Sequence, residues 1–520
     1  MSLRRRPWLS IGLAGGAGLV AYLAFKPEGW WFLAPVALAG LYATLAGVGL
    51  GLTALGGLAF GLGLFLPMLT WAFNAAGALP YLALALVSAL LLALGPVVWR
   101  LARPLVERGF AGRPWVDAVC FALAYTAADT LRSFVPFGGF PWGRLGFSQA
   151  AGPLALWARL GGTPLVGLGA ALMGTLAVAA ARSASGRRAK AALGAGLAVA
   201  GLALAPLAHP LVFPKAAAAE AGELRVGAVQ GDVEVTAEGL FARQREVLDN
   251  HVAGTLALMA NQEGRPLDIV LWPENSTDID PRTDQEAGAA IDRAATAAAA
   301  PVLVGAMEYV PGGRRYNQGL VWRAGLGVVA QYSKQHPAPF AEYMPARSFF
   351  RLFTKKVDLI TTDMLAGDRV GALALEAGVL GRTVTLGDII CFEVAYDSLV
   401  AETVRGGAEA LVVQTNNASF GFSEESVQQL AMTRLRAIEH GRAAVQVSTV
   451  GVSAAFAPDG AYLAGPTKLF EPASFAVDLP LRSSLTPASV VGDWVAWAIM
   501  LLAAAWAVAG QGARLAGGRD

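Results

Sequence analysis

Residues 29–99 read GWWFLAPVALAGLYATLAGVGLGLTALGGLAFGLGLFLPMLTWAFNAAGALPYLALALVSALLLALGPVVW, with no Asp, Glu, Lys or Arg anywhere in the stretch. A bilayer-crossing helix needs about 20 apolar residues, so this length predicts three consecutive spans, at roughly 29–48, 51–73 and 80–99. The breaks fall near Gly49 and between Asn74 and Pro80, where glycine and polar residues interrupt the pattern. Working outward, another apolar run precedes them at about Trp8 to Phe25, and others follow at roughly 115–132, 162–181, 191–209 and 490–510. The expected total is eight transmembrane helices.

Composition agrees. Of 520 residues, 55% are hydrophobic and only 15% charged, and the mean hydropathy is +0.50, which excludes a soluble, disordered or fibrous chain. The 40 basic and 38 acidic residues leave a net charge of +2, so no broad attraction for polyanions exists and nucleic acid is not an expected partner. Arg4, Arg5 and Arg6 could open a cleaved signal or a twin-arginine address; with spans following at once, they read as the flank of an uncleaved anchor. Arg100, Arg103, Arg108 and Arg113, then Arg182, Arg187, Arg188 and Lys190, then Arg514 and Arg519 mark alternate connections. The positive-inside rule assigns these and both termini to the cytoplasm, and puts the long polar region on the outer face. The expected organisation is a seven-helix region over 1–211, an extracytoplasmic domain over 212–485, and a last span with its tail over 486–520.

That polar region has another texture. Short β-branched or apolar runs (Leu224 to Val229, Asp268 to Trp272, Pro301 to Gly305, Val384 to Cys391, Ala410 to Gln414, Ala443 to Ser448) alternate with helical stretches at 236–262, 285–299 and 424–440, the pattern of an α/β domain. The two cysteines, Cys120 and Cys391, sit in unlike surroundings and are not expected to pair. The four histidines, His209, His251, His336 and His440, have no metal-ligand spacing, so neither metal nor cofactor is expected.

Three motifs in this domain each set a reactive side chain at a strand end: Leu-Trp-Pro-Glu at Glu274, Tyr-Ser-Lys-Gln-His around Lys334, and Asp-Ile-Ile-Cys-Phe-Glu around Cys391. A thiol with an ordinary pKa near ~8.5 is mostly protonated at neutral pH; a carboxylate can take its proton, and an ammonium can stabilise the thiolate and the oxyanion formed on carbonyl attack. In that order and context the three resemble the Glu-Lys-Cys triad of the nitrilase superfamily. With eight spans around an outward domain, the chain resembles, nearly end to end, the apolipoprotein N-acyltransferases. Supporting motifs are Val229-Gln230-Gly231-Asp232, Pro339-Phe340-Ala341-Glu342-Tyr343-Met344-Pro345, Cys391-Phe392-Glu393, and Phe140-Pro141-Trp142-Gly143 in the membrane part. Three positions depart from the family's pattern: Ala341 where Gly is frequent, Ser419 where a Trp is usual, and Phe392 where a Tyr is common. The second removes a ring that could line a substrate pocket.

The resemblance implies an α-β-β-α sandwich and a two-step reaction at the bacterial plasma membrane. Cys391 attacks a phospholipid acyl ester, and the amino group of a diacylglyceryl-cysteine at an apolipoprotein N-terminus then attacks the thioester. Glu274 is the implied general base and Lys334 the oxyanion partner, with Glu342 orienting Lys334. Membrane lipids surround a chain expected to be a monomer. Plainer roles stay open for each residue. Glu274 could cap a helix, Lys334 be a solvated loop lysine, Cys391 a core residue, and Glu342 an ion-pair partner of Lys334 or Arg347. Glu393 could only hold the loop after the nucleophile. Asn416 and Asn417 could fix a loop beside the thiol or simply form a turn, while Tyr343 is a supporting residue and Trp142 either contacts substrate lipid or the soluble domain, or only anchors at the interface. The segment 343–356 combines Phe349, Phe350 and Phe353 with Arg347, Arg351, Lys355 and Lys356, suiting either a mobile cover at the lipid surface or an amphipathic segment packed on the domain.

Overall fold

The computed structural model describes residues 7–111, 113–183, 189–204, 218–233, 245–261, 264–277, 279–352 and 354–516. The chain divides into two units, Met1–Pro214 with Val491–Asp520, and Lys215–Val490. Arg4–Arg6, Arg187, Arg188, Arg519, His209, Phe353 and the end of the run at 191–209 lie outside the described residues.

The first unit is helical: α1 (Pro7–Leu23), α2 (Leu33–Leu45), α3 (Leu50–Met68), α4 (Thr70–Ala76), α5 (Ala78–Gly109), α6 (Pro114–Leu131), α7 (Ala158–Ser183), α8 (Ala189–Leu204) and, after the second unit, a helix over Trp494–Ala516. Among the described residues, four helical stretches are long and apolar enough to cross a membrane: Leu50–Met68, Ala78–Gly109, Pro153–Ser183 and Trp494–Ala516. Helices α1 and α2 are apolar but shorter, at 17 and 13 residues. A helix therefore stands at each expected run, while length and composition qualify four of them as spans. Close packing comes from small residues, as on the face of α1 that buries Ser10, Ala14, Ala17, Gly18 and Ala21; between lipid-embedded helices, backbone approach replaces the hydrophobic effect as the source of cohesion. Polar ties add specific links. Asp117 accepts from the Tyr42 hydroxyl at 2.9 Å and from Trp99 Nε1 at 3.0 Å, joining α2, α5 and α6.

The second unit is a four-layer sandwich. One sheet has the order β13 (Ala473–Pro480), β1 (Glu223–Gln230), β2 (Ile269–Leu271), β3 (Val302–Val310), β4 (Arg314–Arg323), β5 (Gly327–Ser333), with the short β6 (Asp363–Met364) also pairing β4; the other runs β12 (Tyr462–Ala464), β11 (Ala454–Phe456), β10 (Ala443–Ser448), β9 (Ala410–Thr415), β8 (Arg382–Ile390), β7 (Ala372–Ala377). The strands that carry the site are β1 (Glu223–Gln230), β2 (Ile269–Leu271), β3 (Val302–Val310), β4 (Arg314–Arg323), β5 (Gly327–Ser333), β8 (Arg382–Ile390), β9 (Ala410–Thr415) and β10 (Ala443–Ser448). Strand alternation builds the layers. Val226, Ala228, Ile269, Leu271, Val384, Leu386, Val412 and Val445 fill the core that contains residues of both sheets. Val270 and Trp272 face the opposite way, into a second cluster with Leu248, Val252, Ala287 and Ile291 of α9 (Glu246–Asn261) and α10 (Gln285–Ala298). On the other sheet lie α11 (Asp397–Arg405) and α12 (Glu425–His440). The neighbouring strands β8 and β9 of the second sheet are parallel and pair Ile390 with Gln414, so both end at the same level, where α/β folds open their sites.

Candidate active site

Glu274 sits in the turn that ends β2. That turn crosses β3 closely at Gly305, where a Cβ would stand 2.3 Å from the Pro273 carbonyl oxygen and 2.8 Å from Glu274 Cα. The carboxylate is 4% exposed. Its Oε1 accepts from Asn317 Nδ2 at 2.6 Å and faces Lys334 Nζ at 3.5 Å, and its Oε2 accepts from the Asn416 N–H at 2.9 Å. It caps no helix: the next one, α10, is capped by Asp284, whose side chain accepts from the Ala287 N–H.

Lys334 follows β5, its N–H donating to the Asn317 carbonyl at 2.8 Å and its own carbonyl accepting from Gly367 at 2.7 Å. At 1% exposure it is no solvated loop lysine. Its ammonium bonds Glu342 Oε1 at 2.7 Å, and Glu342 Oε2 accepts from the Ala338 N–H at 2.6 Å. Burial alone would pull the Lys334 pKa down, but the carboxylates of Glu342 and Glu274 outweigh it and hold the ammonium above its usual range. Glu274 is raised: burial disfavours its charge and the Glu342 carboxylate adds to that, against the attraction of Lys334. Arg347 does not compete for Glu342, since it pairs with Asp363 at 2.6 Å.

Cys391 lies just past β8 at a strand-to-3-10 elbow with φ +55°, a left-handed conformation that is uncommon for a residue with a side chain. The residue packs against the edge of the core between the sheets. The residue as a whole is half-buried. Thr415 Oγ1 lies 3.4 Å from it and Gln429 Nε2 3.7 Å. Burial lifts the thiol well above its ordinary range and the Glu274 charge adds to that, with Lys334 opposing. This environment favours the protonated thiol over the thiolate.

Glu393 holds the elbow. Its Oε2 accepts from Ile390 N–H at 2.8 Å, and its Oε1 from the Tyr332 hydroxyl at 2.9 Å and the N–H groups of Gln335 and His336 at 2.6 and 3.0 Å. One fully buried carboxylate thereby ties the loop after Lys334 to the Cys391 turn. Phe392 is buried and edge-on to Tyr396, which stacks on His336 with ring centroids 4.4 Å apart.

Asn416 lends Glu274 its backbone N–H, and its Oδ1 accepts from Ala418, forming a turn. Asn417 is 2% exposed, with its Nδ2 on Glu425 Oε2 at 2.5 Å and Gln429 Oε1 at 3.1 Å. Tyr343 is half-buried, and its carbonyl accepts from the Phe340 N–H. In the segment 343–356, Phe350 is edge-on to both Phe340 and Phe349. Arg347 and Arg351 are engaged by Asp363 and Asp358 rather than presented as free cations. Trp142 belongs to the helical unit. Its ring is 1% exposed against Trp71, at 5.4 Å between centroids, and its carbonyl accepts from Arg132 at 3.1 Å. So buried an indole has no face to offer a lipid, and its structural part is in the core of that unit.

Sequence reasoning missed Asn317, Tyr332, Thr415, Glu425 and Gln429. One signal was available: on α12, Glu425, Gln429 and Thr433 recur every fourth residue, a polar stripe that the structure buries. Among the described residues no cluster of three or more His, Cys, Asp or Glu side chains is arranged to hold a metal ion.

Comparison with known proteins gives a consistent picture. Residues 17–176 match the family model for the apolipoprotein N-acyltransferase N-terminal domain, and residues 225–481 that for carbon-nitrogen hydrolases. An apolipoprotein N-acyltransferase of Mycolicibacterium smegmatis is 36% identical over 528 residues, covering 95% of this chain and 83% of the relative. One of Azotobacter vinelandii is 33% identical over 475 residues, covering 88% and 87%. Among solved structures, a mutant of the Nesterenkonia AN1 amidase, from the nitrilase superfamily, is similar at 18% identity and a TM-score of 0.37, over 50% of this chain and 91% of that one.

Proposed function

Since this chain belongs to the apolipoprotein N-acyltransferase family, we propose that Cys391, Glu274 and Lys334 move an acyl chain from a phospholipid to the amino terminus of a diacylglyceryl-modified lipoprotein. The observation that carries this reading is the convergence of Glu274, Lys334 and Glu342 in one ion-paired set, of which the buried Glu274 and Lys334 act electrostatically on the Cys391 thiol. Glu274 takes the thiol proton and sulfur attacks the ester carbonyl. Lys334 faces the oxyanion, the carbon–oxygen bond breaks, and the departing lysophospholipid oxygen receives the proton back from Glu274. In the second half the amine attacks the thioester, Glu274 accepts the amine proton, the carbon–sulfur bond breaks, and the thiolate is reprotonated from Glu274. Glu342 serves as a positioning residue by fixing Lys334 Nζ, and Glu393 by fixing the elbow.

The alternation of basic connections supports eight spans, cytoplasmic termini and a catalytic domain at the outer face of the plasma membrane, with segments 1–211, 212–485 and 486–520. The apolar and aromatic mixture at 343–352 suits a cover at the lipid surface.

Purified protein given phospholipid labelled in its acyl chain, then a diacylated lipopeptide, tests the reaction. Label is expected on the lipopeptide amine. Release as free fatty acid in the presence of the lipopeptide would instead make the chain a membrane-bound hydrolase.

A further inference from the structure

Neutral side chains, as well as charged ones, meet the Cys391 sulfur: Thr415 Oγ1 at 3.4 Å and Gln429 Nε2 at 3.7 Å. A primary amide can present either its oxygen or its NH2 group, so what Gln429 offers depends on what holds its other end. The chain of bonds that holds it starts from the backbone. The Gly451 N–H, which can only donate, bonds Ser448 Oγ at 2.8 Å, and the Ser448 hydroxyl donates to Asn417 Oδ1 at 2.5 Å. That turns the Asn417 NH2 group toward Gln429 Oε1, at 3.1 Å, and leaves Gln429 Nε2 as the atom facing sulfur. A peptide N–H thus sets the polarity of a relay that ends with a donor on the nucleophile. Residue 451 has to be glycine for this, because a Cβ there would stand 2.1 Å from Asn417 Oδ1 and 2.5 Å from Ser448 Oγ. Thr415 has one hydroxyl hydrogen and two acceptors in reach, the sulfur and Gln429 Oε1 at 2.8 Å.

We infer that Gln429, aimed by Asn417, Ser448 and Gly451, and Thr415 are catalytic donors that stabilise the Cys391 sulfur whenever it carries negative charge. This rests on the reading of Cys391 as nucleophile. Sulfur is negative twice in the cycle, as the attacking thiolate and as the group expelled from the thioester. While it is protonated, the Thr415 hydroxyl donates to Gln429 Oε1; once it is charged, that hydroxyl turns to the sulfur. Lys334 supplies charge to the same atom, whereas these two supply directed hydrogen bonds. Asn417 and Ser448 act through Gln429 and are positioning residues.

The test is alkylation of Cys391 by iodoacetamide across pH, in full-length protein carrying Cys120→Ala so that one thiol remains. Thr415→Val and Gln429→Met should each raise the midpoint by roughly one pH unit and slow labelling at neutral pH about tenfold. Thr415→Ser should restore it. Gln429→Glu, which sets a carboxylate against the sulfur, should raise it further. Midpoints coinciding with the parent in variants that melt normally would overturn the inference. Should Gln429→Met melt early, the Thr415→Val and Thr415→Ser pair, which differ in the hydroxyl, decides. Alkylation needs no acyl donor. Displaced midpoints without thioester formation would therefore reject the reaction proposed above and keep the donors.

Discussion

The two sides of the Cys391 turn are built from opposite materials. Toward Glu274, Lys334 and Glu342 the polar groups are ionic, one ammonium lying 2.7 Å from the Glu342 carboxylate and 3.5 Å from that of Glu274. Toward Thr415, Asn417, Gln429 and Ser448 they are neutral amides and hydroxyls, ordered by hydrogen-bond polarity. The difference teaches where proton transfer and charge development belong. Ion pairs buried together resist being altered singly, since removing one partner strands the other's charge, whereas neutral donors can be exchanged in small steps.

That contrast can be broken most severely on the ionic side. Cys391→Ala should abolish acyl transfer, and Glu274→Gln should lower it by about a thousandfold or more, because the thiol then has no proton acceptor. Acyl transfer measured with labelled phospholipid checks both, and a Glu274→Gln variant retaining more than a tenth of the rate would remove Glu274 from the role of base. Lys334→Met should cost stability as well as rate. It leaves the carboxylates of Glu274 and Glu342 buried beside each other with no cation, a loss of about 3–5 kcal/mol that appears as a lower melting temperature.

Acidity sharpens the comparison. Because burial raises Glu274 above the ordinary carboxylate range, the acid limb of the rate profile should lie above about pH 4.3, where an unperturbed glutamate titrates. A limb at or below that value would show that Glu274 is not the titrating base.

The smallest effect belongs to Glu425, at the far end of the neutral network. Burial pushes its carboxyl up to about 8, against the Asn417 hydrogen bond and with the Glu274 charge adding. The folded chain therefore holds a proton that the unfolded chain releases above about pH 4.3, so stability should decline as pH rises from there to about 8. Glu425→Gln removes that slope. Its melting temperature should fall less than the parent's between about pH 5 and pH 8, and parallel declines would contradict the protonated carboxyl.

Much of this was legible in the sequence because it rests on local signals. An uncharged run from Gly29 to Trp99 cannot be water-facing, and strand-end motifs at Glu274, Lys334 and Cys391 carry their chemistry in adjacent residues. The relation of Glu342 to Lys334, eight residues on, was also within reach as an ion pair. What stayed hidden depends on distant pairing. Asn317 contacts Glu274 across 43 positions, and Gln429 reaches Cys391 across 38; neither partner has a motif of its own. The packing of Trp142 on Trp71 was equally out of sight, since the Phe-Pro-Trp-Gly loop names no partner for its ring. The basic residues at 347 and 351 likewise looked available for lipid phosphates until Asp363 and Asp358 were seen to engage them.

The most direct test of the central claim is the mass of the Cys391 peptide after the Cys120→Ala protein meets phospholipid with no acceptor present. The account predicts one acyl chain on that cysteine, removable by hydroxylamine and lost from the peptide once lipopeptide is added. An unmodified Cys391 in protein that nevertheless acylates lipopeptide would contradict it.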